Sequence, residues 1–164
     1  MKTIVILLTT FMASIFNSVE NTTIYYQNCE AKLSVKKDRN FETANEDGAS
    51  FVLILENTSS QTATYQLSTA NLLEPCDNNS AGRSSGKSNV SLDVSIESSG
   101  SSDRSNEGVT LNSGETYSFI VQVNVPKGTA YNNWSCIDVI AASKDCSSPA
   151  KTTLSVFVAD PSED

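Results

Sequence analysis

Hydrophobic residues recur at every second position through several short stretches of this chain, most clearly between Val109 and Pro126. Tyr117, Phe119, Val121, Val123 and Val125 share one parity, while Thr116, Ser118, Gln122 and Asn124 hold the other. A period of two describes a strand with one face on a core and one in water. Ile120 is the single apolar residue on the polar parity. Asn112-Ser113-Gly114 supplies a turn before the strand, and Pro126 ends its ladder because proline has no N–H to donate.

The same grammar predicts six more strands. Strand A carries Cys29, Ala31, Leu33 and Val35 on one face, and Lys36 to Gly48 reads as a charged, turn-rich loop. In strand B, Phe51, Leu53 and Leu55 face one way and Val52 and Ile54 the other. Apolar residues on both faces mark a central strand. Strand C holds Ala63, Tyr65 and Leu67, and strand D holds Val90, Leu92, Val94 and Ile96, with an irregular stretch from Asn71 to Asn89 between them. After Val109 to Pro126 (strand E) come strand F around Trp134 to Ala142 and strand G with Leu154, Val156 and Val158. No helical periodicity competes. About seven short strands separated by turn residues predict an all-β fold, a single antiparallel β-sandwich of immunoglobulin or fibronectin-III type.

The 164 residues suit one domain of ordinary size. Met1-Lys2 and the apolar run Ile4 to Phe16 form a charged start and a hydrophobic stretch of 13 residues. A bilayer span needs about 18 or more, so residues 1–18 are expected to be a signal peptide rather than a stable membrane span. Residues 19–28 then form a polar lead-in, 29–160 the sandwich domain and 161–164 an acidic tail. The expected location is secreted, periplasmic or at the cell surface. A net charge of -8 opposes binding to nucleic acid or to an anionic membrane.

Export places Cys29, Cys76, Cys136 and Cys146 in an oxidising compartment, where an even set pairs as disulfides. Alternating strand directions bring the start of strand A to the F–G turn, and the end of strand C to the start of strand F. Cys29–Cys146 and Cys76–Cys136 are therefore the expected bonds. Pairing Cys136 with Cys146 would need the sulfurs to meet across a strand about 23 Å long, against a Cα limit of about 7 Å.

Leu111-x-x-Gly114-Glu115, the alternation up to Val125-Pro126, and then Gly128-Thr129 form a pattern with a known bacterial likeness. It resembles the fibronectin-III-like modules that sit beside the catalytic domains of alpha-galactosidases and other secreted glycosidases. Phe51 to Asn57 and Thr62 to Ser68 resemble their paired early strands. The likeness implies a sandwich with a binding or spacer role. The cysteines and Trp134-Ser135-Cys136 depart from that pattern.

Chemistry is harder to find. Histidine is absent from the sequence, which removes His-dependent triads and His-ligated metals. Glu46-Asp47 sits in turn-like sequence, where solvated acids are common. Asp77-Asn78-Asn79 and Glu46-Asp47-Gly48 could offer oxygens to calcium, but neither has the D-x-[DN]-x-[DN]-G spacing, and no cofactor is expected. The candidate ligand contacts are Tyr131, Asn132, Asn133 and Trp134, where an exposed Trp could stack on a sugar while amides bond its hydroxyls. The alternative is a sandwich-core Trp packed on the Cys136 disulfide, which its place at the start of strand F favours. Five N-x-[ST] sequons, at Asn21, Asn57, Asn78, Asn89 and Asn133, are close to the roughly four that this composition produces by chance. The expected function is a non-catalytic exported module that binds another exported protein, with carbohydrate binding at a surface glycan as the alternative.

Overall fold

A computed structural model describes residues 30–45, 47–74, 89–98, 108–144, 146 and 148–162. Two sheets face each other. One has the order β1 (Ala31–Val35), β3 (Ala49–Asn57), β7 (Thr116–Asn124), β5 (Asp93–Ser98). The other runs β2 (Phe41–Ala44), β9 (Ala150–Val158), β8 (Asn133–Ala142), β4 (Ala63–Leu72), β6 (Val109–Leu111). The inward parity of each strand builds one core. Phe51, Leu53 and Leu55 of β3, Phe119, Val121 and Val123 of β7, Ile137 and Val139 of β8, and Leu154, Val156 and Val158 of β9 are all nearly inaccessible.

The alternation therefore places the central strands correctly. The sheets differ from the expectation in three places. The stretch from Lys36 to Gly48 is not all loop: Phe41–Ala44 forms β2, which pairs parallel with β9. The chain leaves the first sheet at Lys36–Asp38, where Lys37 (φ 63°) and Asp38 (φ 54°) are left-handed, and crosses to the second. Val109–Leu111 separates from the long strand after it and pairs with β4 across the sandwich. The predicted fourth strand begins at Asp93 rather than Val90, because Val90 donates its N–H to Trp134 O and Leu92 bonds the Asn71 amide at both its N–H and its carbonyl. The described residues hold nine strands where about seven were expected.

Two local devices hold the corners. Gly48 returns the chain from β2 to β3 with φ +81°, and a Cβ there would lie 2.1 Å from the Val123 carbonyl oxygen. Only glycine fits that approach. At the opposite end of β3, Asn57 is fully buried and its amide donates to Gln61 O (2.7 Å) and Leu111 O (3.0 Å). Its side-chain oxygen accepts from Tyr65 OH at 3.0 Å and from Ser59 Oγ at 2.7 Å. Burial raises the Tyr65 phenol above its ordinary value of 10.0. The first sequon inside the domain is thus a structural joint, with its amide nitrogen already committed.

Candidate interaction surfaces

Of the four candidate ligand contacts, Trp134 is 5% exposed and does not offer a stacking platform. It lies on the outer face of the five-stranded sheet, away from the inter-sheet core, with its ring centroid 5.3 Å from Phe41 and 5.1 Å from Phe157. Cross-strand pairing explains the cluster: Trp134 stands opposite Phe157, and Phe41 stands one strand further on, opposite Ser155. The expected burial of Trp134 holds, but in a satellite cluster rather than between the sheets. Asn133 spends its amide on Tyr131 O at 2.8 Å. Asn132 is left-handed (φ 57°) and exposed, and donates its N–H to Val158 O.

Tyr131 is exposed and borders a cleft of about 290 Å³ with Asn45, Pro126, Lys127, Thr129 and Val158. That volume is just under the usual range of about 300–1,000 Å³ for small-molecule sites. With one aromatic ring and one cation, the cleft has little to grip a sugar chain.

Further along the outer face of the five-stranded sheet, Cys136 is fully buried and Asp138 is 6% exposed. Asp138 accepts from Lys151 Nζ at 3.0 Å and from Thr153 Oγ1 at 2.7 Å. Neither Cys136 nor Cys146 is a free thiol. Cys146 donates its N–H to Ser143 O and so stays at the far end of β8, about 20 Å along the strand from Cys136. Cys29 and Cys76 lie outside the described residues, so the pairing Cys29–Cys146 and Cys76–Cys136 stands as a proposal. Cys76 follows Leu72 by four residues, and Leu72 is the register partner of Cys136.

The outer face of the four-stranded sheet is different. Val52 of β3 stands opposite Ile120 of β7, and Ile54 follows two residues along β3. All three are half-buried. Polar residues border them: Ser34 beside Ile54, Ser50 and Gln122 in the next row, and Lys32 beside Glu56 beyond. A shallow hollow adjoins Val52, lined by Lys36, Lys37, Arg39 and Glu42, the last two joined at 3.1 Å. No described element packs on this face.

Among the described residues no cluster of acidic or cysteine ligands is arranged for a metal. Of the calcium candidates, the whole of Asp77 to Asn79 and Glu46 of the other triplet lie outside those residues. No described helix is long and apolar enough to cross a membrane.

No protein family and no curated protein matches this sequence. Solved structures do. The chain is similar to part of a family 123 glycoside hydrolase from Clostridium perfringens, at 11% identity and a TM-score of 0.50 over 82% of this chain. It spans only 28% of that enzyme's length. It is also similar to PapD-like domain 7 of human CEP192, at 12% identity and TM-score 0.45, covering 90% of this chain and 98% of that one. A third is the CooA pilin subunit from enterotoxigenic Escherichia coli, at 12% identity and TM-score 0.43, covering 80% and 99%. Nothing in these likenesses singles out the alpha-galactosidase-associated type. Identities this low speak for architecture alone; the strand order above makes the chain an immunoglobulin-like β-sandwich.

Proposed function

We propose that this chain is a non-catalytic, exported binding module whose partner is a protein. The observation that carries the reading is the Val52–Ile54–Ile120 group, held on a sheet surface by residues whose inward neighbours already fill the core. An apolar centre in a polar border is the anatomy of a protein contact. The absence of histidine from the sequence removes His-dependent triads, which favours binding over catalysis. Export rests on the N-terminal apolar run, and the expected disulfides agree with it.

The test is affinity capture of the tagged mature domain from its native producer, comparing wild type with Ile120→Lys and Tyr131→Ala. A stoichiometric protein, this chain included, that is retained by Tyr131→Ala and lost by Ile120→Lys supports the reading. Recovery of polysaccharide that disappears with Tyr131→Ala would replace it with the carbohydrate-binding alternative.

A further inference from the structure

One row crosses the outer face of the four-stranded sheet, and its four residues come from four different segments. Val35 pairs with Leu53 as the last residue of β1, and Lys36, which follows it as the chain turns out of the sheet at that edge, lines the same hollow as Val52. Val52 pairs with Ile120, and Ile120 with Glu97 of the edge strand β5. The row therefore reads cation, apolar, apolar, anion from one sheet edge to the other. Adjacent strands lie about 4.8 Å apart, so its charged ends are about 14 Å from each other and cannot pair within one chain. Lys36 and Glu97 are exposed, and neither has an ion-pair partner among the described residues.

This pattern is complementary to its own copy. A twofold axis parallel to the strands, passing between β3 and β7, turns one sheet over onto the other. It sets Lys36 over Glu97 of the second copy and Val52 over Ile120, and by symmetry the reverse pairs form as well. We infer that the protein occupying this face is a second copy of this chain, in an isologous face-to-face dimer centred on Val52 and Ile120. The inference rests on the protein-binding reading above and names the partner. Isologous contacts need this reciprocity, each residue meeting the one that meets it in turn. Two sheets packed face to face with their strands nearly aligned are an ordinary arrangement. A foreign partner would need no such antisymmetry: a surface matched to something else could carry either charge at either edge.

The experiment is sedimentation velocity of the full mature chain across a wide concentration range, with thermal unfolding of every variant as a folding control. Wild type is expected to pass from monomer to dimer. Ile120→Lys is expected to remain monomeric at every concentration while its monomer melts as wild type does. Lys36→Glu and Glu97→Lys alone are each expected to weaken the dimer roughly tenfold, since each sets like charges against each other twice. Lys36→Glu combined with Glu97→Lys restores opposite charges at both contacts and should recover the dimer. Rescue by the double variant supports the inference. A wild-type chain that stays monomeric, a dimer that survives Ile120→Lys, or a double variant no better than either single one overturns it. If the chain is monomeric but a different protein is captured and lost with Ile120→Lys, the protein-binding reading stands and the self-association fails. If that capture also fails, both fall.

Discussion

The two sheets of this sandwich turn very different outer faces away from the core. On the five-stranded sheet the outward residues Trp134, Cys136, Asp138 and Ser155 are almost inaccessible, although no described layer covers them. On the four-stranded sheet the outward Val52, Ile54 and Ile120 are only half-buried, amid serine, glutamine and scattered charge. One face carries an aromatic trio, an acid held by Lys151 and Thr153, and a bound cysteine. The other keeps its apolar centre available. Hydrophobicity along a strand does not distinguish a stabilising outer cluster from a contact surface. What neighbours it across the ladder does.

The comparison can be broken most directly at Trp134. Trp134→Ala should cost about 3–5 kcal/mol in urea unfolding, because its buried ring packs against Phe41 and Phe157 and its removal leaves a cavity. A loss under about 1 kcal/mol would mean that the outer cluster is not structural. Next is the proposed Cys76–Cys136 bond, whose removal should cost about 2–5 kcal/mol. Cys76→Ser and Cys136→Ser should then lose the same amount singly as together, whereas additive losses would deny the pairing.

A smaller effect separates the corner from both faces. The Tyr65 phenol is raised by burial, so its neutral form is the one that the fold favours. The unfolded chain ionises this residue first. Stability from the group is therefore complete below the ordinary value of 10.0 and is lost as pH rises above it toward the folded value. Tyr65→Phe should flatten that alkaline decline while giving up about 1 kcal/mol of hydrogen bonding to Asn57 at neutral pH. An unchanged alkaline slope in the variant would assign the decline to other groups. Smallest of all, Ile120→Thr should change monomer stability by no more than about 0.5 kcal/mol. A clear destabilisation there would show that the exposed centre belongs to the fold, and would weaken its claim to be a contact.

The central strands are legible because each needs only its own alternation. Phe51 to Leu55, Tyr117 to Val125 and Leu154 to Val158 repeat every second residue often enough that one face must be buried. Phe41–Ala44 is too short and too mixed to show a period, and its parallel pairing with β9 joins residues more than a hundred positions apart. The candidate ligand set, Tyr131 to Trp134, is contiguous in sequence, but neighbours in a strand point to opposite faces. Trp134 went outward into an aromatic cluster, while Ser135 went inward toward Asn71.

From sequence alone came the β class, the apolar parities that fill the core, and the two oddities, Ile120 and the second face of Val52 and Ile54. Periodicity is a local property, and it survives without knowledge of what pairs with what. The tertiary structure alone decided that Val52 stands opposite Ile120, that Lys36 and Glu97 end the same row, and that Trp134 is enclosed. Register and strand order join distant segments, and a shift of one residue would send every one of these side chains to the other face.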